Sequence, residues 1–91
     1  MAGDDRVETT ENRLRRLRLR SWHRGICEMD LILGRFADER LAGLSPELLD
    51  AFDLLLSEND HDLYRWVGGS AEGPARYAEI ISGIRAFHRI G

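Results

Sequence analysis

Apolar residues recur at spacings of three and four along most of the chain, and this helical period constrains the fold more than any other feature. In residues 26–42 the period is carried by Met29, Ile32, Leu33, Phe36, Ala37 and Leu41. No segment alternates apolar and polar residues as a half-buried strand does. The sequence therefore predicts an all-α fold.

Cap and break residues divide this pattern into four or five short helices around a single core. Asn12 is a candidate N-cap of a basic first helix that ends at Gly25, and Gly43 ends the second helix. Ser45 and Pro46 supply a hydroxyl cap and a first-turn proline, so they predict the start of a third helix.

The remaining helices follow the same logic. Asp60 is interpreted as the N-cap of a short fourth helix, and a glycine-rich loop at residues 68–74 follows it. The last helix is expected to begin near Pro74. Its apolar face comprises Tyr77, Ile80, Ile81, Ile84 and Phe87.

Length and composition limit the chain to one small domain. With 91 residues there is room for one core, and no apolar run approaches the roughly 20 residues that span a bilayer. Residues 1–11 are polar and acidic, so we expect a disordered tail before a domain of residues 12–91. A lone cysteine, Cys27, allows no internal disulfide, and the N-terminus resembles no secretion or organelle-targeting signal. These features predict a cytoplasmic protein without membrane insertion.

All 13 basic residues are arginine, which excludes Schiff-base lysine chemistry and a lysine-containing phosphate loop. The net charge of −3 argues against nonspecific binding of nucleic acid by the whole domain. One basic block lies in the first helix and consists of Arg13, Arg15, Arg16, Arg18 and Arg20. It is interpreted as a solvated face, with a nucleic-acid-associated regulator or adaptor as the alternative.

The junction between the first two helices carries the strongest candidate site. Gly25 permits a sharp turn and a close approach by another surface, and Arg24 offers a five-donor fork suited to carboxylate or phosphate. Glu28 is placed either to pair with Arg24 or to cap the second helix. The simpler interpretation is a glycine C-cap beside a solvated arginine, and the functional one is a docking tip.

Catalysis and metal binding find no support in the sequence. The three histidines show no pair at the four-residue spacing of a helical metal site, and no nucleophile, base and orienting acid form a set. The acidic run at residues 60–62 is interpreted as helix capping rather than acid–base chemistry.

The motifs together resemble the flavinylation factor family, which comprises the succinate dehydrogenase assembly factor 2 proteins and their bacterial counterparts. The resemblance covers roughly residues 13–87. It rests on an Arg-Gly-x-x-Glu-x-Asp motif at residues 24–30, preceded by Trp22 and His23, and on an Asp-x-Asp-Leu-Tyr-x-Trp motif at residues 60–66. The combination of the two at this separation is specific, although each motif alone is weak.

The resemblance implies a small five-helix assembly chaperone that is not an enzyme, and we expect it to be a monomer. Such a factor binds the flavoprotein subunit of succinate dehydrogenase, or of fumarate reductase, and promotes covalent attachment of FAD to that client. It holds no cofactor stably, because the FAD belongs to the client, and it binds no nucleic acid.

The same resemblance implies that Arg24, Gly25 and Glu28 face the client, with Trp22, His23 and Asp30 as further client-binding candidates. This chain departs from the family pattern at two places. The family usually has arginine where this chain has His23, and the loop at residues 68–73 is specific to this chain. The positive field expected at the tip therefore depends more on pH than that of an arginine pair.

Overall fold

The computed structural model describes residues 9–25 and 27–89, and within them it contains five α-helices and two short 3-10 turns. The helices are α1 (Thr10–Trp22), α2 (Cys27–Arg40), α3 (Pro46–Leu55), α4 (Asp60–Gly68) and α5 (Ala78–Phe87). The 3-10 turns, Leu41–Gly43 and Ala75–Tyr77, follow α2 and precede α5. No strand occurs in this part of the chain, so the predicted all-α bundle is confirmed.

Two of the predicted helix starts are wrong by one to three residues. The N-cap of α1 is Thr9, whose hydroxyl accepts a hydrogen bond from the backbone N–H of Asn12. Two residues assigned to the tail therefore lie in α1, while residues 1–8 lie outside the described residues. The N-cap of α4 is Asn59 and not Asp60. In both cases the capping acceptor lies one to three residues upstream of the predicted one. Where several polar residues follow one another, more than one of them can cap the helix.

The start of α3 and the end of α4 follow the sequence closely, whereas α5 begins at Ala78, after a 3-10 turn, and not near Pro74. Ser45 caps α3 through its hydroxyl, and Pro46 is the first helical residue, as predicted. The end of α4 is a left-handed glycine, Gly69, with a φ of +88°. The predicted second helix ends earlier than expected, because its last turn tightens into the Leu41–Gly43 3-10 turn; its expected first residue, Ile26, lies outside the described residues.

The core lies where the helical period places it. The rings of Phe36 and Phe52 lie 5.7 Å apart, and Phe87 meets Phe36 edge-on at the same distance, so α2, α3 and α5 meet at one aromatic cluster. Fully buried residues surround it, including Leu17, Met29, Leu33, Leu41, Leu55, Leu63 and Ile84. Tyr64, which belongs to the apolar segment of α4, is instead half exposed.

The basic block of α1 is not simply a solvated face, because three of its arginines bind carboxylates of α3. Arg16 and Arg20 donate to the two oxygens of Asp53 at 3.0 and 2.9 Å. Arg13 reaches Asp53 at 3.4 Å and Asp50 at 2.7 Å. These ion pairs hold α1 against α3. They reduce the positive charge of α1 that is available to bind a phosphate backbone.

The arginine cluster changes the titration of Asp53. Burial of the carboxyl opposes its ionisation, but the hydrogen bond from Arg16 and the charges of Arg16, Arg20 and Arg13 outweigh burial and lower the pKa of Asp53. A lowered native pKa means that the carboxylate stabilises the fold above its unfolded pKa of about 3.9, and that this contribution is lost as the pH falls through the native value.

We therefore expect the free energy of unfolding to fall below about pH 4, and Asp53→Asn to make that fall shallower. Urea denaturation between acidic and neutral pH measures both. Asp62→Asn, which removes an exposed partner of Arg65 within one helix turn, is the matched control. An Asp53→Asn profile that parallels the wild type would contradict the assignment.

Candidate functional site

The turn between α1 and α2 is sharp, and its glycine is exposed. His23 closes α1 by donating its backbone N–H to the carbonyl of Leu19 at 3.1 Å. Gly25 follows with a φ of +95°, and a Cβ built there would meet no described atom within 4 Å. The predicted glycine turn is thus confirmed, and the space in front of it is open to another molecule. A side chain at this φ would still be strained.

Arg24 points inward, contrary to the expectation of an exposed fork. Its Nε donates to Asp60 Oδ1 at 2.5 Å, and its Nη2 donates to the carbonyl of Glu58 at 2.9 Å. Its Nη1 donates to the carbonyl of Leu56. Only 10% of the side chain is exposed. Its guanidinium is neither a solvated cation nor a free anion receptor, because the α3–α4 junction supplies acceptors for each of its nitrogens.

Asp30 holds the same turn from the side of α2. Its Oδ1 accepts a hydrogen bond from the backbone N–H of Arg24 at 2.8 Å. Arg24 is therefore fixed both through its main chain and through its side chain. Because the Arg24 guanidinium is paired with Asp60 and largely buried, it does not supply the positive charge expected at the tip.

Trp22 has a packing role that the sequence analysis did not identify. Its indole lies directly over Gly34 of α2, where a Cβ would come within 2.3 Å of the ring. Its Nε1 donates to Asp38 at 3.1 Å. The tryptophan therefore fills a notch that only glycine leaves open, and it fixes the end of α1 on α2.

His23, Gly25 and Glu28 are the predicted site residues that remain exposed. The expected pairing of Glu28 with Arg24 does not occur, because Arg24 is bound to the α3–α4 junction. Among the described residues, the Glu28 carboxylate has no hydrogen bond or ion pair. The exposed part of the motif is thus a glycine turn followed by one unpaired acid.

Three further residues belong to this region, and the sequence analysis assigned none of them to the site. Asp60 binds Arg24. Leu31, three residues after Glu28, and Tyr64, four residues after Asp60, are 47% and 48% exposed. They are two of the four large apolar residues that the described part of the chain exposes, and the other two are Leu19 and Leu54. The sequence signal for Asp60 and Tyr64 is their place in the Asp-x-Asp-Leu-Tyr-x-Trp motif. The sequence alone explains that motif as the cap and the apolar residues of the fourth helix.

The acceptor side of the site is itself well fixed. The hydroxyl of Tyr77 donates to the Glu58 carboxylate at 2.6 Å. Burial, together with this hydrogen bond, raises the pKa of Tyr77, so the phenol remains a donor at neutral pH. The α3–α4 junction that receives Arg24 is therefore tied to the turn before α5.

Within residues 9–25 and 27–89, no three histidine, cysteine, aspartate or glutamate side chains lie together as a metal site requires. None of the described helices combines the length and the apolar character needed to cross a membrane.

Comparison with known proteins gives consistent matches. Residues 15–88 match the family model described as the flavinator of succinate dehydrogenase. The mitochondrial succinate dehydrogenase assembly factor 2 of Meyerozyma guilliermondii is 49% identical over 59 residues, which are 65% of this chain and 44% of that protein. The corresponding protein of Schizosaccharomyces japonicus is 45% identical over 74 residues, or 80% of this chain and 52% of that protein.

A bacterial relative matches nearly end to end. The FAD assembly factor SdhE of Legionella pneumophila strain Lens is 39% identical over 75 residues, which are 82% of this chain and 95% of that protein. The chain thus spans about half the length of the fungal relatives and most of the bacterial one. No solved structure matches the chain.

The inward geometry of Arg24 predicts a stability effect. We expect Arg24→Lys to lower the free energy of unfolding by about 1.5–3 kcal/mol, because an ammonium cannot bind Asp60 and two carbonyls from the same position. Urea denaturation measures the change. Arg65→Lys, at an exposed ion pair with Asp62, is the control and should stay within about 0.5 kcal/mol of the wild type. Equal effects would contradict the anchoring of Arg24.

Proposed function

The chain belongs to the family of succinate dehydrogenase flavinators, and from this premise we propose that it binds the flavoprotein subunit of succinate dehydrogenase and promotes covalent attachment of FAD to it. The observation that carries the proposal is the match over residues 15–88, which includes both motifs. The related fumarate reductase flavoprotein is a second proposed client.

We propose that the client is bound by the exposed part of the Arg-Gly-x-x-Glu segment. Gly25 allows a close backbone approach, Glu28 offers an unpaired carboxylate, and His23 flanks them. We propose that Leu31, one helix turn after Glu28, and Tyr64, one helix turn after Asp60, supply the apolar area of the same surface. An apolar patch with a polar edge is the usual composition of a protein interface.

The other predicted site residues support this surface from behind. Arg24 and Asp30 hold the turn, and Trp22 fixes the end of α1 against Gly34. Substituting them changes the shape of the surface rather than removing a group that touches the client. We therefore assign client contact to His23, Gly25 and Glu28, and a positioning role to Trp22, Arg24 and Asp30.

The proposed mechanism is positional. The factor binds a client conformation in which the client's own groups and its FAD are aligned for the covalent step. The factor supplies no reacting group and keeps no FAD of its own, and it acts as a monomer in the cytoplasm. Its relatives carry the names of assembly factors and not of enzymes.

The alternative of a nucleic-acid regulator has less support. Arg13, Arg16 and Arg20 are engaged by carboxylates of α3, which removes three of the five arginines of the basic block from phosphate binding. The region around the glycine turn carries an unpaired acid, which repels a phosphate backbone.

Two substitutions at Gly25 separate backbone strain from occupation of the open space. Gly25→Ala and Gly25→Arg both place a side chain at positive φ, at a cost of about 1–2 kcal/mol. Only arginine extends into the space that the client would fill. We expect Gly25→Arg to abolish binding to the purified flavoprotein subunit, measured by calorimetry, and Gly25→Ala to retain most of it. Equal affinities of the two variants would contradict the docking role.

The activity itself is tested through the client's flavin. We expect Glu28→Gln to reduce protein-bound flavin fluorescence on the denatured flavoprotein subunit, because the variant removes an exposed carboxylate that has no hydrogen bond or ion pair among the described residues. Glu39→Gln removes an exposed carboxylate near the other end of α2 and serves as the control. If both variants support the wild-type level of covalent flavin, Glu28 has no role in client binding.

A further inference from the structure

We infer that Asp60 is a positioning residue for the client-binding surface, acting through Arg24 to hold the α1–α2 turn and α4 in one fixed arrangement. The inference rests on the proposed function, and it extends that function to a residue outside the Arg-Gly-x-x-Glu segment. Asp60 itself touches no client atom in this account. Through Arg24 it fixes the positions of Gly25 and Glu28 relative to Tyr64.

The first step of the argument is the number of bonds that converge on one arginine. The guanidinium donates to the Asp60 carboxylate and to the carbonyls of Leu56 and Glu58, and the backbone N–H of the same residue donates to Asp30. These four bonds reach α2, the end of α3 and the start of α4. A single residue in the α1–α2 turn thus fixes its position against three helices.

The second step is the charge balance at that point. Leu56 and Glu58 lie at the end of α3, where free carbonyls and the helix dipole attract a cation. Asp60 supplies the full negative charge that matches Arg24, and its side chain is only 18% exposed. Without that carboxylate the arginine would keep a charge in a largely buried place with no ionic partner, and solvent would become its better environment.

The third step links the ion pair to the exposed surface. Gly25 directly follows Arg24, and Glu28 lies one helix turn after it on α2. Tyr64 lies one turn after Asp60 on α4, so it projects from the same side of that helix. The bond between Arg24 and Asp60 therefore sets the distance between the two halves of the surface that the client is proposed to bind.

The acceptor side is rigid enough to serve as a reference. The Glu58 residue that accepts from Arg24 through its carbonyl also accepts from Tyr77 through its carboxylate. The glycine turn, where Gly25 has a φ of +95° and a built Cβ would meet no described atom within 4 Å, is the part that this reference positions.

The experiment compares two partly buried carboxylates, each of which binds arginine from another part of the chain. Asp60→Asn removes the charge that holds the glycine turn, and Asp53→Asn removes the charge that holds α1 on α3. Both variants are measured for thermal stability, for the position of the Gly25 amide signal in a nitrogen–proton NMR spectrum, and for affinity to the purified flavoprotein subunit.

We expect Asp60→Asn to shift the Gly25 amide signal and to weaken client binding by about tenfold or more, in line with the effect of small misplacements at binding sites. Asp53→Asn should leave the Gly25 signal and the affinity unchanged even where it lowers the melting temperature as much. Wild-type affinity of Asp60→Asn, or an equal loss in Asp53→Asn, would overturn the inference.

A double variant separates positioning from direct contact. If Asp60 acts only through Arg24, then adding Asp60→Asn to Arg24→Gln weakens binding no further than Arg24→Gln alone. Multiplied losses in the double variant would show that Asp60 contacts the client itself and would overturn the positioning role. Should Asp60→Asn fail to fold, Arg24→Lys replaces it in each measurement, with the same expected shift and loss.

Failure of the proposed function gives a different result. If the wild-type chain does not bind the flavoprotein subunit, the proposed function is wrong, and the Gly25 amide signal of the free chain alone decides whether Asp60 holds the turn. If the wild type binds and Gly25→Arg does not, the function stands whatever Asp60→Asn does.

Discussion

The ion pair between Arg24 and Asp60 is the interaction on which the account of this surface depends. It joins the α1–α2 turn to the start of α4, and the same guanidinium closes the end of α3 by binding two of its free carbonyls. Because these groups are largely buried, the bond is shielded from solvent and loses less of its strength to screening than a surface pair does. The arginine of the motif, Arg24, therefore acts within the protein, whereas Gly25 and Glu28 remain exposed to a partner.

Two other arginines of the described residues bind a helix end or cover the core. Arg85 donates to the carbonyl of Val67 at 3.1 Å and lies against the left-handed Gly69, so it closes α4 much as Arg24 closes α3. Arg40 lies 5.2 Å from the ring of Phe87 at the edge of the core. A small bundle of short helices has many free carbonyl ends and little core, and planar guanidinium groups satisfy such ends while covering apolar surface. This explains in physical terms how a lysine-free chain uses its basic residues.

The helices were predictable because their signals are local. The three-and-four spacing, the Ser45–Pro46 start of α3 and the glycines that follow α1, α2 and α4 all act within a few residues of their own position. The direction of Arg24 was not predictable, since its acceptors lie 32 to 36 residues further along the chain and become neighbours only when α3 and α4 fold back. Asp60 was misassigned for the same reason. A carboxylate at a helix start resembles a cap, but Asn59 caps α4, and Asp60 binds Arg24, which lies 36 residues away in the sequence.

Family membership and the geometry describe the same region in different ways. The match over residues 15–88 explains why the two motifs occur together, and the structure shows which of their side chains can meet a partner.

Hydrogen–deuterium exchange of the chain with and without the flavoprotein subunit tests the central claim most directly. The account predicts slowed exchange at residues 23–31 and 60–64, with α5 unchanged. Slowed exchange confined to α5, or to the arginine face of α1, would contradict it.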